Sequence, residues 1–178
     1  MARLNLSLDE MPDKSRELYE HLKSKRGSIE GMYLTLLNHP DLAEHVSQLG
    51  TYLRFGATLP GDVREVMILL TGHALGAEYE WIKHVPPARA AGVPDSVIAA
   101  IRAGQALAPL NADYGLLEEL HACVAKRYSI PQPLQDSLVA KWGTTGILEL
   151  VILVGFYAMI GDILTSFDVP LPTAASGA

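Results

Sequence analysis

Between Thr144 and Phe167 the chain is apolar on nearly every helical face, with Glu149 and Asp162 as isolated charges. A helix of that kind needs neighbours all round. Its longest apolar run, Leu150 to Ile160, falls far short of the roughly 20 residues that span a bilayer. The tract therefore predicts a buried core helix that the rest of the chain must cover. Its two carboxylates are expected to be paired with arginine or lysine across an interface, because a buried charge needs a partner.

The remaining residues are punctuated as helices, and no β-hairpin signal interrupts them. Asp13 is placed to cap a peripheral N-terminal helix of residues 13–24, with Gly27 as its stop. A short apolar segment follows, and Asp41 then opens a helix to Gly56. Pro60 starts the next, from Gly61 to Leu75, and Gly76 closes it. A helix from Ala77 runs into Pro86 and Pro87, which are expected to interrupt or kink it near His84, since proline lacks the amide donor. Further helices are expected from Ser96, from Asp113 as a cap, over 133–142 and from Thr144. This pattern predicts an all-α chain of about eight helices, one domain over residues 1–178 with a frayed tail at 173–178.

Composition narrows the partners. A chain with 49% hydrophobic and 19% charged residues is too apolar for disorder and points to subunit interfaces. The expected state is a homo-oligomer, as a dimer, trimer or hexamer. A formal charge of −6 with no basic run disfavours nucleic acid and anionic membranes. Cys123 is the sole cysteine, which excludes an internal disulfide and any multi-cysteine metal site. With no export signal read in the N-terminal residues, a cytoplasmic setting is the expectation.

The residues able to do chemistry cluster in one stretch. Glu80 and His84 lie one turn apart on one helical face. A carboxylate beside an imidazole holds its tautomer and raises its basicity, which makes the pair a candidate general acid/base. Seen alone, such a pair is most often an exposed contact worth about 0.2–0.5 kcal/mol. Glu65 sits on the preceding helix, and a hairpin at Gly76 would bring it over the next one. A metal held by Glu80, His84 and His73 would need a ligand borrowed from elsewhere, and nothing in the spacing demands one.

The spacing of these residues also carries a likeness. Arg64-Glu65, eleven residues, Ala77-Glu78-Tyr79-Glu80, three residues and His84 resemble the carboxymuconolactone decarboxylase and alkylhydroperoxidase D (AhpD-like) superfamily. Peroxidase members of that superfamily carry Glu-x11-Cys-x-Tyr-Cys-x3-His. Here Ala77 and Glu80 occupy the two cysteine positions, so the resemblance implies a member without the thiol pair and without thiol peroxidase activity. Residual peroxidase chemistry through the distant Cys123 is a further, testable alternative. The likeness extends over roughly residues 30–172 and includes Leu59-Pro60, Ala88 to Gly92, Leu148 to Val151 and Val154-Gly155-Phe156-Tyr157.

The resemblance implies an AhpD-like helical fold and a lyase that needs no cofactor, acting on a small carboxylated lactone or enolisable acid from aromatic compound catabolism. His84 would be the general acid/base, oriented by Glu80, with Glu65 as relay and Tyr79 as a donor to a developing enolate oxygen. Arg54 and Arg64 are candidates to bind a substrate carboxylate, and His73 is a candidate to face the same pocket. The competing expectation keeps the fold and drops the chemistry: a helical oligomer that binds a small molecule or partner.

Overall fold

The structure, a computed structural model, describes residues 3, 4, 6–26 and 29–172, so the tail expected to fray lies outside the described residues. Eight α-helices follow one another among these residues, with no strand. They are α1 (Asp13–Arg26), α2 (Met32–Leu36), α3 (Pro40–Thr51), α4 (Gly61–Ala74), α5 (Glu78–Ala90), α6 (Asp95–Arg102), α7 (Ala112–Ala125) and α8 (Gln132–Ser166). Between α3 and α4 the residues Tyr52–Gly56 form a wider π-helical turn.

Helix α4 is the centre of the packing and touches α5, α6, α7 and α8. Nine of its fourteen residues are buried, and Val66, Met67 and Leu69 have no exposed surface at all. The apolar tract expected to be covered on every side is less enclosed. Leu150, Leu153, Val154 and Ile160 of α8 enter the core, but Leu148, Ile152 and Met159 form an exposed stripe. Helix α8 is the one described helix long and apolar enough to cross a bilayer, yet 56% of its most apolar window is buried against the other helices. At Gly143 the backbone leaves helical geometry, which divides α8 where the sequence placed separate helices.

Local chemistry sets most boundaries. Pro60, Pro94 and Pro131 precede α4, α6 and α8 in extended geometry and leave the first turn preorganised. Two caps differ from expectation. His39, with Pro40 behind it, caps α3 by accepting the Leu42 amide on Nδ1 at 3.3 Å, so Asp41 lies inside the first turn. The side chain of Asn111 caps α7 by accepting the amides of Asp113 and Tyr114, which frees Asp113 to pair with Lys141. Helix α1 is held at the edge by a small cluster of Met11, Tyr19, Leu22, Ile29 and Leu37, and by the Ser15 hydroxyl donating to the Leu37 carbonyl.

Pro86 and Pro87 do not end α5. The helix continues to Ala90, and Gly92 with φ 91° stops it. Ala88 is wholly buried, and the amides of Ala91 and Val93 donate back to Pro87 and Ala88. Packing beyond the prolines thus offsets the two missing amide bonds. His84 lies within regular helix, not at a break.

The charges of α8 also depart from expectation. Glu149 is buried, but its partners are neutral and intramolecular. The Tyr52 hydroxyl donates at 2.7 Å, and the Thr58 amide and hydroxyl donate at 3.0 and 2.9 Å. Asp162 is exposed. Burial opposes the Glu149 charge, but the donors from Tyr52, Thr58 and Leu59 outweigh it and hold the carboxyl below its ordinary 4.5. This carboxylate pins the π-helical turn to α8. Its contribution is present above pH 4.5 and lost as pH falls through the lowered value. Glu149→Gln is expected to cost about 1–3 kcal/mol in urea unfolding near neutral pH, and less in acid.

Candidate active site

The α4–α5 connection is a tight hairpin. Gly76, at φ 63°, adopts the left-handed geometry that glycine reaches without strain. The Ala77 amide closes the turn on the Gly72 carbonyl at 2.8 Å. The two helices therefore run back to back, and the buried carboxylate of Glu65 on α4 faces His84 on α5.

The contact is short. His84 Nδ1 lies 2.8 Å from Glu65 Oε2, while Nε2 lies 3.4 Å from Glu80 Oε2. The imidazole thus stands between two carboxylates, and all three side chains are buried. Tyr157 of α8 meets the ring edge-on at 5.0 Å and fixes its plane. Behind Glu65, Arg64 Nε approaches Oε1 at 3.6 Å. The orienting bond thus comes from Glu65, one helix away, and not from Glu80 as the local spacing predicted. At 3.4 Å the Glu80 contact is beyond a good hydrogen bond.

Burial is the largest single influence on His84 and disfavours the imidazolium. The hydrogen bonds and charges of Glu65 and Glu80 together outweigh it, so the pKa rises above 6.5. Burial pushes the hydroxyls of Tyr79 and Tyr157 strongly upward, with further help from neighbouring carboxylates. Both tyrosines stay neutral and able to donate. With Nδ1 bonded to Glu65, His84 Nε2 is turned toward Glu80 at 3.4 Å.

His84 and Glu80 open on a cavity of about 300 Å³. Glu80, His84, Tyr79 and Arg54 line it, as do Tyr33, Phe156 and Tyr157. The π-helical turn carries Arg54 to the wall, and no described carboxylate lies within ion-pair distance of it. Its guanidinium rests over Phe55 at 5.1 Å. At the rim, Lys83 of α5 pairs with Glu30 from the segment before α2. Gly31 must be glycine, since its φ is 64° and a Cβ there would lie 2.3 Å from the Tyr79 hydroxyl.

Of the expected site residues, Glu65, Arg64 and His73 do not line the cavity, and Glu65 reaches it only through His84. Arg64 backs Glu65 and does not line the pocket, so it is not positioned to bind a substrate carboxylate there. His73 packs against Trp81, ring centres 6.3 Å apart. Eight residues turn a helix about 80° beyond whole turns, which rotates His73 away from the direction of Glu65. Cys123, half-buried on α7, is also absent from the lining. Among the described residues no group of three or more His, Cys, Asp or Glu side chains is arranged to hold a metal ion.

Sequence reading missed Tyr33, Phe156, Tyr157, Glu30 and Lys83. Tyr157 had a faint signal, as the one hydroxyl-bearing aromatic in the apolar run of α8. Lys83 and Glu30 had none, because each becomes part of the site only through tertiary contact.

Comparison with known proteins bears on the fold and on one segment of the chain. Residues 40–112, which include Glu65, Tyr79, Glu80 and His84, match the model of the carboxymuconolactone decarboxylase family. No curated protein matches the chain. An uncharacterized peroxidase-related protein from Silicibacter sp. TM1040 superposes with a TM-score of 0.79 at 15% identity, covering 98% of this chain and 95% of that one. An AhpD-core, peroxidase-related protein from Ralstonia eutropha JMP134 gives 0.77 at 16% identity, covering 96% and 92%. The debrominase Bmp8, as a cysteine-to-alanine variant in complex with 2,3,4-tribromopyrrole, gives 0.71 at 14% identity, covering 98% and 93%. The family model thus matches residues 40–112, and the chain as a whole has the AhpD-like fold.

Proposed function

We propose that the chain is a cofactor-independent lyase of the carboxymuconolactone decarboxylase type, acting by acid/base chemistry on a small carboxylated lactone or enolisable acid. The observation that carries this reading is the buried imidazole between two carboxylates on the wall of a small cavity. In this reaction the bond from carbon to the carboxylate breaks, and its electron pair flows into a conjugated carbonyl of the substrate. CO2 leaves, and the enolate oxygen gains charge. The neutral hydroxyls of Tyr79 or Tyr157 donate to that oxygen. His84 Nε2 then delivers its proton to carbon, and the imidazole is reprotonated from solvent through the cavity. Glu65 holds Nδ1 throughout. Arg54 is the cation for a carboxylate of the substrate.

The binding alternative uses the same cavity. It gives no reason for an imidazole buried between two carboxylates, an arrangement that costs desolvation and serves proton transfer. The exposed stripe of Leu148, Ile152 and Met159 supports a homo-oligomer as the working state.

Replacing His84 by Gln removes the proton donor. CO2 release from a cognate carboxylactone is expected to fall at least about a hundredfold, with the helical circular-dichroism spectrum retained; equal turnover in variant and wild type would remove His84 from the mechanism. Ile152→Glu places a charge in the apolar stripe. By light scattering it is expected to lower the assembled mass of the wild type, and a wild type that is monomeric at micromolar concentration would contradict the assembly.

A further inference from the structure

Arg54 owes its place on the cavity wall to the turn that carries it. No described carboxylate lies within ion-pair distance of its guanidinium, and the ring beneath it belongs to Phe55, the next residue of the same turn. Both side chains therefore move with the backbone of Tyr52–Gly56. That backbone is a π-helical turn, a rare form that occurs mostly as single turns at functional sites. Its wide ring closes where the Ala57 amide donates to the Tyr52 carbonyl at 2.8 Å. Glu149 of α8 holds it from outside. The carboxylate accepts the hydroxyl of Tyr52, the first residue of the turn, and the amide and hydroxyl of Thr58, just beyond its end. One buried side chain thus grips both ends of the segment that has Arg54 in its middle. From there Arg54 acts on the reacting end of the cavity: burial pushes the Tyr157 hydroxyl upward, the Arg54 charge opposes that push, and Tyr157 meets the His84 ring edge-on. We infer that Glu149, which does not itself line the cavity, is a positioning residue for substrate: by holding Tyr52 and Thr58 it fixes Arg54 where a substrate carboxylate meets it.

The inference rests on the proposed reading of Arg54 as the cation for a substrate carboxylate, and it adds the residue that aims that cation. Two other roles for Glu149 have different consequences. As a stabiliser of the fold alone, it would affect charged and neutral ligands alike. As a negative charge alone, it would repel an anion, so its removal would tighten the binding of an acid. Positioning has the opposite sign and acts on the acid only.

The test uses 5-oxotetrahydrofuran-2-carboxylate, a lactone acid with no conjugated carbonyl to take up the electrons of a departing CO2, and its neutral carboxamide. Binding is read as saturable shifts in the amide NMR spectrum of the whole protein. Arg54→Gln should weaken the acid about tenfold or more. Glu149→Gln should weaken the acid about threefold or more and leave the carboxamide within about twofold. In the Arg54→Gln background Glu149→Gln should add less than about twofold, because residues that act through one another are not additive. Tyr52→Phe keeps the carboxylate and removes one of its donors, so it should reproduce the effect in weaker form, and it carries the test if Glu149→Gln does not fold. The inference is overturned if Glu149→Gln leaves acid binding unchanged or tightens it, or if it weakens acid and carboxamide alike. It is equally overturned if the effect persists in full without Arg54, or if the acid does not bind wild type at millimolar concentration. Because binding is read without turnover, acid-specific coupling of Glu149 to Arg54 with no CO2 released from any carboxylactone removes the lyase reading alone. Release of CO2 that Arg54→Gln impairs, and that Glu149→Gln and Tyr52→Phe leave intact, removes the positioning role alone.

Discussion

The bond between His84 Nδ1 and Glu65 at 2.8 Å is the contact on which the site depends. It joins α4 to α5 inside the core, fixes the tautomer of the imidazole and sends Nε2 toward Glu80 and the cavity. Three ionisable groups are buried together here, and each is tolerable only because of the others. The arrangement also couples protonation to folding. Because His84 has a raised pKa, its contribution to stability is fully present below pH 6.5 and is lost as pH rises through the raised value.

On the AhpD-like scaffold of this chain, neither the α4–α5 turn nor α5 carries a cysteine. Ala77, just before α5, is buried and apolar, while Glu80, one turn into the helix, faces the imidazole. A carboxylate in that place cannot form a disulfide, but it can hold a proton. Under the proposed lyase reading the site moves protons between nitrogen and oxygen. Tyr79 and Tyr157, kept neutral by burial, stand as hydroxyl donors on the same cavity wall.

Much of this was legible in the residues because it is local. Gly76 after a continuous apolar helix specifies a hairpin, and Glu80 with His84 on one face of the second helix specifies half of the site. Prolines 86 and 87 misled because their effect depends on packing beyond them, where the buried Ala88 keeps α5 continuous. The partners of Glu149 were illegible for the same reason: Tyr52 and Thr58 lie more than ninety residues away in sequence. Arg54 was identified by residue type, but the turn that aims it at the cavity is a π-helical widening that no residue pattern announced.

The central claim is that His84, held between two carboxylates, binds its proton more tightly than a free imidazole does. Nitrogen-15 NMR of the imidazole across a pH titration reads that proton directly. The account expects both ring nitrogens of His84 to remain protonated above pH 6.5, and the transition to move to lower pH in Glu65→Gln, since Glu65 helps to raise it. A neutral ring already formed below pH 6.5, or a transition unmoved by Glu65→Gln, would contradict it.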